Sequence, residues 1–299
     1  MRLLASHLLR LAVLAATLPA AQAEVAAAPL SYQGKTVLVT GSTDGLGREL
    51  ARALAAEGAH VIVHGRNVER GQALVEEITK TSDGSARFFP ADFASLEAVK
   101  RFADTVSREY PKLDLLVNNA GIGVFGDKPR STSADGHELQ FAVNYLAGWV
   151  LVHRLRPALQ AAAPSRVINV ASLSAEPIDF SDVMLEQPGA HKRGYGQSKL
   201  AQVMMTAELA PEFATRGITM IAVHPATMMD TTMVRGAGVA PRTTVDEGRD
   251  AVMTLIRSPT LTAGAFYNGA TLATPNAQAA DAEARARLRA LSADLTQVP

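Results

Sequence analysis

Short apolar runs of strand length alternate with longer helical stretches from about residue 36 to the C-terminus. The pattern predicts strands near residues 36–40, 60–64, 86–91, 113–118, 166–171, 218–223 and 265–267, with helices between them. Strands that alternate this regularly with helices argue for one α/β domain, residues 32–299, whose parallel sheet of about seven strands is doubly wound with helices on both faces. A final amphipathic helix is expected over 277–291, Ala-rich and carrying Arg285, Arg287 and Arg289; it would cap a pocket or pack on a second copy of the chain. In an open sheet of this kind ligands bind beyond the carboxyl ends of the strands. Gly41, Asp92, Asn118 and Ser172 all follow such ends, so they are expected to share one site.

The N-terminus has a different pattern. Arg2 and Arg10 precede an uninterrupted apolar stretch, Leu11 to Ala20, and Ala21-Gln22-Ala23 offers a small-residue cleavage site. This reads as a secretory signal peptide over residues 1–23, with 24–31 a flexible leader and an exported chain as the consequence. The charge-free stretch is shorter than the roughly 20 residues that span a bilayer, so no stable membrane span is expected. The rival reading is an overlong apolar extension from an upstream start codon, which leaves the chain cytoplasmic.

Composition narrows the function. A chain of 299 residues that is 47% hydrophobic can bury a large core. Zero net charge gives no basic footprint for nucleic acid, so small-molecule chemistry is expected. With no cysteine, disulfides, thiol catalysis and cysteine-ligated metal all drop out. None of the seven histidines forms an H-E-x-x-H pattern, and no metal site is expected.

The segment Tyr195-Gly196-Gln197-Ser198-Lys199 puts a phenol and an ammonium four residues apart on a helix, on one face. A lysine charge beside the phenol would lower its pKa toward the range of an acid/base catalyst. Alone, this spacing is common on solvated helices. At the start of the domain, the run Thr36 to Thr40 leads into Gly41-Ser42-Thr43-Asp44-Gly45-Leu46-Gly47 and then a helical stretch from Arg48 to Glu57. Glycines between a strand and a helix let the backbone approach a pyrophosphate at the helix N-terminus. Their spacing, G-x-x-x-G-x-G, differs from the commoner G-x-G-x-x-G. Asn118-Asn119-Ala120-Gly121, Asn144 and Ser172 follow in order.

With these segments in this order, the chain resembles the short-chain dehydrogenase/reductase family from about Tyr32 onward. Tyr195 to Ala210 and Ile178 to Glu186 are most similar to its retinol-dehydrogenase-like branch. The resemblance implies a Rossmann fold and an NAD(P)-dependent oxidoreductase that interconverts an alcohol with a ketone or aldehyde. It also implies the roles: Tyr195 as acid/base, Lys199 lowering its pKa and binding the nicotinamide ribose, Ser172 orienting the substrate oxygen, and Asn144 holding a relay water. Ser174 is a rival for Ser172. For Asn144 the rival role is a bond to its own helix backbone.

The implied cofactor contacts are residues 41–47, Arg66, Asp92, Asn118, Ala120, Gly121, Tyr195, Lys199, Pro225 and Ala226, where Ala226 replaces the usual glycine. No carboxylate follows the second strand, and Arg66 offers a fork to a 2′-phosphate, so NADP is expected over NAD. Asp44 argues the other way. Asp92 would bond the adenine; its rival role is capping the next helix, for which Ser95 is the better cap. Segments 173–194 and 226–245 should wall the substrate pocket, with Met184, Leu185, Met228, Met229, Met233 and Val234 suggesting an apolar, adaptable lining for a lipophilic alcohol or carbonyl. Association into a homo-oligomer stays open. The competing function is a non-catalytic dinucleotide-binding sensor or scaffold of the same fold.

Overall fold

The computed structural model of the chain describes residues 28–126 and 128–299. The expected signal segment 1–23 and residues 24–27 of the expected leader lie outside the described residues. The end of that leader is tied down: the Leu30 amide donates to the Arg257 carbonyl at 2.8 Å, and Tyr32 is buried.

The sheet runs in the order β3-β2-β1-β4-β5-β6-β7-β8. Its first seven strands are β1 (Thr36–Val39), β2 (His60–Gly65), β3 (Ser85–Pro90), β4 (Leu115–Asn118), β5 (Ser165–Val170), β6 (Ile218–His224) and β7 (Phe266–Asn268). They pair in parallel and match the expected seven to within a residue or two. An eighth strand, β8 (Thr271–Ala273), was not expected; it pairs antiparallel with β7 at the sheet edge. The chain order reverses between β1 and β4, which opens the crevice where ligands bind in such sheets.

Both faces of the central sheet are covered, which is why inner strands such as β1, β4 and β6 read as largely apolar runs. Leu38, Ile62, Leu116 and Val167 point into one core with α3 (Leu96–Glu109), α4 (Ala147–Arg154) and α6 (Gly194–Ala214). Val37, Val39, Val61, Val63, Leu115 and Val117 point into the other, with α1 (Gly45–Ala56), α2 (Val68–Thr81) and α8 (Val245–Arg257). The short α5 (Arg156–Ala161) and α7 (Thr232–Gly236) complete the connections. Among the described residues no helix is long and apolar enough to cross a membrane.

Two elements differ from expectation. Residues Phe141–Leu146, expected as plain helix, form a π-helix that runs into α4. The C-terminal helix, expected over 277–291, is α9 (Ala282–Thr296), and it lies on α6 of its own chain. Arg285 pairs with Glu208 and Arg289 with Glu212, each at 3.3 Å. Beneath them the Tyr145 hydroxyl bonds Ser292, and the Trp149 indole N–H donates to the Val298 carbonyl at 3.1 Å.

Candidate active site

The loop between β1 and α1 is shaped by close backbone approaches. Gly41 has φ +63°, and a Cβ there would lie 2.8 Å from the Ala120 Cα. A Cβ on Gly47 would lie 2.3 Å from the Gly41 carbonyl oxygen, so helix α1 can start this close to the loop only with glycine. Thr40 and Asn119 lock the loop to the end of β4: the Thr40 hydroxyl accepts from the Asn119 and Ala120 amides at 3.0 and 2.9 Å, and Asn119 Nδ2 donates to the Thr40 carbonyl at 2.8 Å. The helix begins at Gly45, three residues before the expected Arg48. Asp44 is its N-cap, accepting from the Gly45 amide at 2.8 Å. The other oxygen of Asp44 accepts from Thr232 at 2.8 Å and meets Arg70 at 3.2 Å.

A groove of two connected halves runs over this loop. The larger, about 720 Å³, is lined by Thr43, His64, Arg66, Asn67, Arg70, Asp92 and Phe93. The smaller, about 430 Å³, is lined by Ser172, Tyr195, Lys199, Pro225, Ala226, Met228 and their neighbours. Gly41, Asp44, Ala120, Gly121, Thr232 and Met233 border both. In the larger half Arg66 stands 3.8 Å from Asp92, with side chains 67% and 53% exposed. Asp92 accepts from the Ala94 amide, while Ser95 caps α3 as expected.

In the smaller half Lys199 is buried. Lys199 Nζ donates to the Val170 carbonyl at 2.8 Å and to Gln202 Oε1 at 2.9 Å. Burial pulls its ammonium down to about 7. The Tyr195 phenol is hydrogen-bonded to Ser172, whose oxygen also accepts from the Ser174 amide at 3.1 Å. Desolvation raises the phenol above its ordinary value, against the opposing pull of the Ser172 bond. This corrects the expectation that Lys199 lowers the Tyr195 pKa. The ammonium faces Val170 and Gln202 and lies 5.7 Å from the phenol ring centroid, so burial dominates. The Phe125 ring leans on that of Tyr195, with centroids 5.3 Å apart.

Several expected site residues are placed elsewhere. Ser42 is fully buried and trades bonds with the backbone of His64, away from the groove. Asn118 is also buried, its Nδ2 donating to Asn169 at 2.8 Å. Asn144 does not bond its own helix; its side chain holds Ile122, which lines the larger half of the groove. It accepts from the Ile122 amide at 2.7 Å and donates to the Ile122 carbonyl and to Ser198, tying the loop after β4 to α6. Of the expected pocket lining, Met228, Met229, Met233 and Val234 do line the smaller half. Met184 and Leu185 pack into the protein interior instead.

The family model described as short chain dehydrogenase matches residues 35–240. The chain belongs to the short-chain dehydrogenase/reductase family. Within it the chain falls in the retinol-dehydrogenase-like branch: it is 34% identical to human retinol dehydrogenase 13 over 283 residues, 88% of this chain and 84% of that one. The match to human retinol dehydrogenase 12, 37% identical, covers 64% of this chain and 61% of the relative. Among solved structures, an uncharacterized protein from Mycobacterium paratuberculosis superposes with a TM-score of 0.72 at 28% identity, over 90% of this chain and 95% of that one. The RhlG protein of Pseudomonas aeruginosa in complex with NADP gives 0.65 at 26% identity, over 80% and 95%. Short-chain dehydrogenases/reductases are NAD(P)-dependent oxidoreductases, and that class is the chain's.

In this short-chain dehydrogenase/reductase the sequence reading missed four residues at or beneath the groove. Arg70, in the first turn of α2, faces the same half as Arg66; a second arginine four residues after Arg66 was the available signal. Gln202 follows Lys199 by three residues on the same helix face. Thr40 and His64 carry no sequence signal, because a threonine or histidine at a strand end is ordinary.

Proposed function

We propose that the protein interconverts an alcohol and a ketone or aldehyde with NADP as hydride partner and Tyr195 as the proton-handling group. The observation that carries this reading is the meeting of Tyr195, Ser172 and Lys199 on one wall of the smaller half-groove, which continues directly into a glycine-loop half bordered by two arginines. The residues fit a dinucleotide: Gly41 and Gly47 leave no room for side chains where backbone must come close, and Arg66 and Arg70 stand at the far end. When bound, the nicotinamide supplies or accepts the hydride.

The chain's own residues do the rest. Burial keeps the Tyr195 phenol protonated at neutral pH, the form that gives a proton to an alkoxide during reduction. Ser172, already bonded to the phenol, orients the substrate oxygen beside it. Lys199, close to its midpoint at neutral pH, binds the nicotinamide ribose. Asn144 holds the Gly121–Ile122 turn that borders the site. The two cations in the larger half, and the NADP in the Pseudomonas relative, support NADP over NAD. Exposed Phe125, Leu173 and Met228 at the mouth, with Met229, Met233 and Val234 inside, favour a lipophilic substrate, as does the likeness to retinol dehydrogenases.

The test is turnover of a panel of lipophilic alcohols and carbonyls with NADPH and NADP, with binding followed by the cofactor's own fluorescence. Tyr195→Phe should keep cofactor binding and lose activity by roughly 10²–10⁴-fold. Wild type that binds cofactor and turns over nothing on the panel supports the sensor or scaffold instead.

A further inference from the structure

His64, the penultimate residue of β2, lies beneath the larger half of the groove, and its ring and backbone hold two different loops at once. The Gly41 amide donates to Nδ1 at 3.0 Å. That bond makes Nδ1 the acceptor, so Nε2 carries the proton and donates to the Ala91 carbonyl at 3.2 Å. The imidazole stacks on Phe93, with centroids 4.0 Å apart, and Phe102 tilts against it at 4.8 Å. The His64 backbone engages Ser42, its N–H donating to Ser42 Oγ at 2.9 Å and its carbonyl accepting from the Ser42 amide at 2.8 Å. Ring and backbone together therefore grip two consecutive residues of the glycine loop. On its other side the ring grips Ala91, whose neighbours Asp92 and Phe93 line the same half-groove as Arg66.

We propose that His64 is a positioning residue that clamps the glycine loop to the loop after β3 and so keeps the adenosine half of the cofactor site in its binding shape. A rigid ring with one acceptor and one donor on different edges spans two backbone groups that no aliphatic or phenyl side chain could bond. Desolvation holds the imidazole down to about 3, so the clamp stays neutral and keeps this tautomer at any pH used for assay. The clamp occupies the Gly41 N–H, which removes one backbone donor from the set that faces a pyrophosphate. The inference rests on the dinucleotide reading above.

His64→Phe keeps the stack on Phe93 and removes both bonds; His64→Asn returns an acceptor to the Nδ1 position alone. The measurements are Kd for NADPH and for adenosine 2′,5′-bisphosphate, kcat at saturating NADPH, and the unfolding midpoint. With two hydrogen bonds lost, Kd for both ligands should rise about tenfold in His64→Phe, kcat should move far less, and His64→Asn should recover part of the loss. A lowered unfolding midpoint with Kd at the wild-type value would make His64 a packing residue and overturn the proposal. If His64→Phe does not fold, His64→Gln, which reaches Ala91 but not Gly41, carries the same comparison. Wild type that binds neither NADPH nor NADH removes the dinucleotide reading and this inference with it. Wild type that binds while the variants bind equally well removes this inference alone.

Discussion

In the half of the groove that ends at Arg66, the charged side chains stand in water: Arg66, Arg70, Asp44 and Asp92 are each about half exposed or more. In the half that ends at Tyr195, the ammonium of Lys199 is only 4% exposed and meets a carbonyl and an amide but no carboxylate. Exposed pairs are individually worth little and rearrange easily, which suits a site that must exchange Asp44 and Asp92 for the phosphates of a ligand. A buried cation costs stability, and the cost appears as a lowered pKa available for chemistry. Under the proposed function, one half would bind with solvated charge and the other would work with desolvated charge.

The largest effect should come from emptying the buried half. Lys199 is held near 7 against 10.5 for a free lysine. Between those values the unfolded chain holds more protons than the folded one, so stability rises with pH across that window, and below about 7 the full cost of the buried ammonium is present. Lys199→Met should abolish turnover and yet raise stability at pH 6, by on the order of 1–3 kcal/mol after the loss of partners for Gln202 and Val170. Denaturant unfolding at pH 6 and pH 10 checks it: the gain should shrink at the higher pH, and a destabilised variant at pH 6 would contradict the account.

In the exposed half the effects should be smaller and screened by salt. Arg66→Ala should weaken NADPH about tenfold and leave NADH nearly unchanged, with the difference shrinking between 0.05 and roughly 1 M salt; Arg70→Ala should behave alike and less strongly. An equal loss for NADH would mean that neither arginine reads a 2′-phosphate. The smallest change should follow Asp44→Asn, which removes the carboxylate facing Arg70 and Thr232. NADPH should bind more tightly by no more than about threefold, in keeping with a pair at the surface. A tenfold change would place that pair on the buried side of the comparison.

What could be read from the sequence follows the same division. Seven strands were legible because sheets buried on both faces leave largely apolar runs. β8 was not, because three residues at an exposed edge, Thr271–Ala273, carry no such run. The glycine loop and the Tyr195 helix were legible from spacing. Spacing does not say which way a side chain turns: Ser42 and Asn118 fall inside the right segments and point into the protein. The π-helix at Asn144 was hidden because one extra residue per turn scarcely alters an already apolar stretch. The cost of burying Lys199 was hidden too, since the depth of a helix face in a protein is set by distant segments, here Val170 and the helices around α6.

Trp149 is the only tryptophan in the chain, and its indole N–H is engaged by the carbonyl of Val298, the penultimate residue. Intrinsic emission from this protein therefore reports on the seating of its tail. A fusion appended to Pro299, or a clipped C-terminus, would change the fluorescence baseline before any cofactor was added, and a spectroscopist could mistake that signal for ligand binding.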